Sequence, residues 1–171
     1  MSLMEFIASD CELSSHKNEK IKTLSINEAI KKGLIDLDEE IDDWGITNRE
    51  ILKDEDFDAP DSFLCVDDEE ALHELSIFPQ SEISYESEYT DKKYCATIEW
   101  QYSEDRAHKL IEYIKEQLSK TDEVEVWSVW LDEHSKVVIS YCNIDELTPS
   151  ILHDVVGLDS YEIPKCLIVK K

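Results

Sequence analysis

Ala107, Leu110, Ile111, Ile114 and Leu118 fall three and four residues apart with Glu and Lys filling the rest, so the segment after Ser103 reads as an amphipathic helix with one apolar stripe. Ser103 is placed to cap it. Such a helix needs an apolar surface to lie on, and the flanking segments supply one. In KYCATIEWQY, Tyr94, Ala96, Ile98, Trp100 and Tyr102 alternate with Cys95, Thr97, Glu99 and Gln101, the pattern of a strand with one apolar and one mixed face. YESEY, at 85–89, reads as its hairpin partner across a polar turn at 90–93.

Beyond the helix, VEVWSVWL (124–131) is apolar on both faces, and KVVISYCNI (136–144) follows a polar turn, so the pair predicts a second, largely interior hairpin. Trp127 and Trp130 then point to opposite faces of one strand. Thr148 and Pro149 supply N-cap and first position for a short helix ending at Gly157, and CLIV (166–169) reads as a last strand. The C-terminal half thus runs β-β-α-β-β-α-β. That order implies an α+β fold, an antiparallel or mixed sheet with helices packed on one face.

Signals before residue 80 are shorter. A strand is expected over 4–8 and another element over 21–24, while SINEAIKKG combines a Ser25–Glu28 capping box with Gly33 at the helix end. FLCV (63–66) predicts a buried strand, and DDEEALHEL (67–75) a short helix capped by Asp67. The expected organisation is a single domain over 1–171, with an acidic N-terminal part at 1–80 and the main core at 81–171.

The net charge is −24, and it is unevenly spread. Between Asp36 and Glu74 seventeen acidic residues face two basic ones, Arg49 and Lys53, so this stretch carries −15 of the total. Nucleic acid and anionic membranes both require clustered Lys and Arg, so neither is an expected partner. Part of the acidity is structural, since Asp68, Glu69 and Glu70 would occupy a first helical turn. The segment also carries Ile35, Leu37, Ile41, Trp44, Ile46, Ile51, Leu52, Phe57, Phe63, Leu64 and Val66, too many apolar residues for a disordered tail. It is expected to be folded with its acids outward. Asp36, Asp38, Glu39, Glu40, Asp42, Asp43, Trp44, Asp54, Asp56, Phe57, Asp58 and Asp61 then form a candidate docking surface for a basic protein partner, with Trp44 and Phe57 as aromatic anchors or as pins holding the loop to the core.

Motifs for chemistry are missing. The chain has three glycines and neither GxGxxG nor GxxxxGK[ST], which disfavours phosphate-cradling loops. Residues 54–58, DEDFD, have the alternating acids of a calcium loop, but Ala59 stands at the sixth position and Cys65 at the twelfth. His16, His73, His108, His134 and His153 are dispersed, and no cysteine pair has CxxC spacing. No cofactor or metal is expected, and no enzyme activity. Glu99, on the mixed face of an apolar strand beside Trp100, reads first as a solvent-facing carboxylate; in the alternative, an enzyme or small-molecule site assembled by the fold, it would be gathered with a histidine.

Five widely spaced cysteines suit buried, reduced thiols in a cytosol. The N-terminus shows no basic segment leading into an apolar run, and no window reaches the roughly 20 apolar residues of a membrane helix. The expected location is cytoplasmic. Fifteen lysines against two arginines suit an AT-rich bacterial genome.

In size, acidity, α+β pattern and segments such as EVEVWSVWLDE and IDELTP, the chain resembles small acidic bacterial immunity proteins that block polymorphic or contact-dependent toxins. That resemblance implies a non-catalytic inhibitor whose 36–74 segment masks a cationic site on a basic toxin domain. An enzyme or small-molecule-binding domain, and an accessory domain of a larger assembly, are the alternatives.

Overall fold

The computed structural model describes residues 3–41, 45–66, 68–81, 85–130, 136–157 and 163–171. The chain forms two compact units, one from Met1–Asn18 with His73–Lys171, the other from Glu19–Leu72.

In the first unit, strands β1 (Leu3–Ser9), β4 (Ser76–Pro79), β5 (Tyr94–Glu99), β6 (Glu123–Trp130), β7 (Val138–Asn143) and β8 (Lys165–Lys170) build one mixed sheet. The remaining strands, β2 (Lys22–Leu24) and β3 (Phe63–Cys65), belong to the second unit. The order in the large sheet is β4-β5-β1-β6-β8-β7, so the N-terminal strand is central. Its run Phe6-Ile7-Ala8 is fully buried because both neighbours, β5 and β6, hydrogen-bond to it antiparallel. The sheet is α+β in composition and mixed in direction, as the element pattern implies, with the order β-β-α-β-β-α-β running from β4 to β8.

Two helices cover one face. Helix α3 (Glu104–Leu118) is capped by Ser103, whose hydroxyl accepts the Arg106 N–H, and Ala107, Leu110, Ile111, Ile114 and Leu118 are all buried. Helix α4 (Pro149–Val156) begins at Thr148 and packs Leu152, Val155 and Val156 into the same core. Facing them are Ile7, Ala96, Ile98, Val124, Val126, Leu167 and Val169. The opposite face carries a smaller cluster of Phe6, Ala8, Cys95, Trp127, Val129 and Cys166. Trp127 is core, stacked on Phe6 with centroids 5.8 Å apart, whereas Trp130 is partly buried.

Both expected hairpins differ. YESEY is a 3-10 turn, Tyr85–Glu88, whose Glu86 is buried and accepts a 2.6 Å hydrogen bond from Gln80 Nε2. The partner of β5 is instead β4, a short apolar run ending in Pro79, which suits a strand near the sheet edge. The second pair is split because β8 inserts between β6 and β7, antiparallel to the former and parallel to the latter. Physically, β8 is apolar on both faces and must be interior, whereas β7 carries Ser140, Tyr141 and Asn143 and tolerates an edge. With helix α4 between them, β7 and β8 form a crossover unit, which favours parallel pairing. Consequently β7 is mostly exposed rather than interior.

In the second unit, helix α1 (Ile26–Lys31) has the full Ser25–Glu28 capping box, and Gly33 takes φ +70 just after it. Among the described residues strand β3 pairs with β2 alone, and it leaves Leu64 exposed, so the expected buried strand is a surface ribbon. One helical turn, α2 (Asn48–Ile51), continues into a 3-10 turn at Leu52–Asp54. The helix expected at 67–75 is a 3-10 turn, Glu69–His73, with the Asp68 carboxylate accepting the Glu70 N–H at 2.6 Å; Asp67 lies outside the described residues.

Candidate functional site

The acidic segment belongs to the Glu19–Leu72 unit, and its acids hold their own loops. Asp36 Oδ1 accepts the Asp38 N–H at 3.0 Å, and the Arg49 guanidinium donates twice to Asp38 Oδ1, at 3.0 and 3.2 Å. Asn48 Nδ2 reaches the Asp36 carbonyl at 2.9 Å, the Ile41 N–H donates to the Ile46 carbonyl, and Gly45 has φ +75. Thr47 and Glu50 cap α2 reciprocally. Asp42, Asp43 and Trp44 lie outside the described residues.

A second set of ties fixes 54–61. Asp56 Oδ1 accepts the Asp58 N–H at 3.0 Å, Asn27 Nδ2 donates to Asp58 Oδ1 at 2.8 Å, and the Asn27 N–H donates to the Phe57 carbonyl. Thr23 donates its hydroxyl to Asp61, which adopts φ 63. This loop is therefore fastened to α1 and β2, and Phe57 is partly buried. The calcium-like run turns its aspartates to backbone and amide donors, and among the described residues no group of three His, Cys, Asp or Glu side chains is placed to hold a metal ion.

Asp36, Asp38, Glu39, Glu40, Asp54, Asp56, Asp58 and Asp61 are all exposed. The apolar residues between them do not turn inward as a core requires: Ile35, Leu37, Leu52, Phe57, Phe63 and Val66 are only partly buried, and Ile41, Ile46, Ile51 and Leu64 are exposed. Short elements of four residues or fewer have no face broad enough to bury them. The result is an acidic surface with aliphatic side chains set into it.

In the large-sheet unit the sheet alternation brings together a group that the sequence pattern hides. Glu5 sits on the helix-facing side of β1, in register with Ser128 of β6, and Trp100 Nε1 donates to its Oε2 at 2.7 Å. Burial raises the Glu5 carboxyl to about 7, against the Trp100 hydrogen bond, which pulls it down. Trp100 meets Tyr102 edge-on at 5.8 Å, Tyr102 meets the His153 ring at 4.8 Å, and the Tyr102 hydroxyl donates to the Pro149 carbonyl. A carboxyl that exchanges its proton near neutrality is a competent acid or base. Glu99, the carboxylate singled out by pattern, is exposed on the other face. The signal for Glu5 was there as one carboxylate between Leu3 and Ile7 on one side of an apolar strand.

On the second face Lys92 lies between Asp10, 2.6 Å away, and Glu123, 2.7 Å away. Burial alone would lower the ammonium, but the two carboxylates outweigh it and hold Lys92 up at about 12, while Lys92 pulls Glu123 down. Beside it, Thr90 and the Trp127 indole both donate to Glu125 Oε2, lining a cleft of about 340 Å³. All five cysteines are free thiols, and burial pushes Cys95 up to about 12 and also raises Cys142 and Cys166. A wider cleft of about 520 Å³ is lined by His16, His108, Glu112 and Glu116, with His108 Nδ1 turned to the Glu104 carbonyl. His73 is exposed, and His134 lies outside the described residues. Among the described residues no helix is long and apolar enough to cross a membrane.

The chain matches no protein-family model, and neither a curated protein nor a solved structure shows significant similarity to it.

Proposed function

We propose that this protein is a non-catalytic binding protein that docks a basic protein partner on the acidic surface of residues 36–61, in the manner of an immunity protein occupying the cationic site of a toxin. One observation carries this reading: Ile41, Ile46 and Ile51 stand exposed among exposed carboxylates. Apolar groups rimmed by charge of one sign are what a partner of opposite charge covers. Electrostatic complementarity would speed encounter and select the partner, and the aliphatic groups would hold it.

The test is affinity capture from the source cell, with the product of the neighbouring gene as bait. Capture at low salt, loss at high salt, and loss when Glu39, Glu40 and Asp54 are changed to Lys are the expected results. Salt-insensitive capture, or hydrolytic activity with no partner, would overturn the reading. A second reading, an enzyme or ligand-binding domain, rests on Glu5 and its Trp100 hydrogen bond.

A further inference from the structure

The two edges of the large sheet are finished differently. Along β4, His16 and Ile77 exchange both backbone hydrogen bonds, at 3.0 and 2.7 Å, and the strand stops at Pro79. Strand β7, six residues without proline or an internal lysine, pairs among the described residues with β8 alone. Long uncharged edges of this kind invite another strand.

Which groups are open follows from the strand geometry. The N–H and C=O of one residue share a side, and successive residues alternate. Val138 donates to the Pro164 carbonyl, so Val138, Ser140 and Cys142 face β8, while Ile139, Tyr141 and Asn143 face outward. The Asn143 N–H is already satisfied by Glu146 Oε2 at 3.1 Å. Between those ends the open groups are the N–H and C=O of Ile139 and of Tyr141.

We infer that a second copy of this chain pairs antiparallel with β7 about a two-fold axis at Ser140, so that Ile139 of each chain lies opposite Tyr141 of the other. In that register both pairs are of the doubly hydrogen-bonded kind, and every open group finds a partner. Shifting by one pair sets Tyr141 opposite itself and Ile139 opposite Asn143, whose N–H is engaged; shifting the other way sets Tyr141 opposite Val137. The side chains agree with the first register. Ile139 and Tyr141, 50% and 64% exposed, meet on one face, and Val138, 50% exposed, meets Cys142 on the other.

Charge points to the same occupant. Lys136 precedes the strand and Asp145 and Glu146 follow it, all exposed, so antiparallel pairing sets each lysine end near the acidic end of the other copy. Lys165 and Lys170 on β8 further balance the local acids. A basic partner is drawn most strongly to residues 36–74, where the negative charge is concentrated. The seam is small beside the roughly 1,600 Å² of a standard interface, so the dimer is expected to be weak, with Kd on the order of tens of micromolar. Each copy carries −24, so added salt should tighten it, the opposite of its effect on a basic partner.

Sedimentation equilibrium of the full chain, at about 50 and about 500 mM salt, should show a monomer–dimer equilibrium that salt strengthens. Ile139→Lys with Tyr141→Lys should weaken it at least about tenfold, while Phe78→Lys on the β4 side should not. The register is read separately by oxidation in a Cys142→Ser background, with the wild-type chain oxidised alongside as baseline. Ser140→Cys should cross-link two chains, because facing Cα atoms about 4.5 Å apart suit a disulfide. Ile139→Cys, diagonal to itself at roughly 7–8 Å, should not. A wild type that stays monomeric at several hundred micromolar in high salt, a dimer that survives the lysine pair with its circular dichroism intact, or equal cross-linking at 139 and 140 would each overturn the inference. None of these outcomes touches the acidic surface, so the two proposals fail separately.

Discussion

Trp100 donates its indole N–H to Glu5 Oε2 across 2.7 Å, from just beyond the end of β5 to the central strand of the sheet. The bond ties a carboxyl that burial has raised to about 7 to the helix-facing side of the molecule.

Unfolding returns Glu5 to its ordinary value near 4.5, so between about pH 4.5 and 7 the unfolded chain gives up this proton first. The stability linked to the protonated form is complete below 4.5 and is lost as pH rises through 7, by up to about 3 kcal/mol. Glu5→Gln keeps an acceptor for Trp100 without the charge. It should match wild type at pH 4 and exceed it by about 1–3 kcal/mol at pH 8 in urea unfolding; parallel stability curves would show that Glu5 is not perturbed.

Lys92 is the hub of a small ion cluster, nearly covered while Asp10 is largely exposed and Glu123 half-buried. Lys92→Met leaves two like charges facing each other and should cost about 2 kcal/mol near neutral pH, discounted for the exposure of Asp10. Because Lys92 holds Glu123 low, the pair's contribution is present above the ordinary carboxylate range and is lost as pH falls through the lowered value. Chemical denaturation at pH 7 and pH 3 should therefore show the penalty shrinking in acid.

Cys95 and Cys166 are each 1% exposed and poorly ionised, whereas Cys11 and Cys65 are half-buried. A thiol reagent at pH 8 should label Cys11 and Cys65 in the native protein and reach Cys95 and Cys166 only after unfolding. Mass mapping of labelled peptides reads this directly, and prompt labelling of Cys166 would contradict the burial.

Gly157 closes α4 where an added Cβ would strike the His153 carbonyl oxygen and come within 2.7 Å of His153 Cδ2. A backbone oxygen in a helix cannot step aside, so Gly157→Ala should destabilise by about 1–3 kcal/mol in thermal or urea melts. Gly33→Ala meets open space and bears only the strain of φ +70, which should cost about 1 kcal/mol.

Elements whose signal is local were legible in the sequence. The stripe of α3, the Ser25–Glu28 box, the Thr148–Pro149 start of α4 and the apolar face Tyr94–Tyr102 all depend on residues a few positions apart, and each stands where its pattern set it. The described acids of 36–61 were likewise legible as exposed, because a charged side chain stays in water unless a core pairs it. Pairing was not legible. Which strand lies beside β5, that β8 separates β6 from β7, and that β1 is central depend on contacts across scores of residues, where a strand's own alternation says which face is apolar and nothing about its neighbour. Glu5 and the open edge of β7 are products of that pairing: a carboxylate becomes a near-neutral acid, and four backbone groups become a docking edge, only once the sheet order decides what lies beside them.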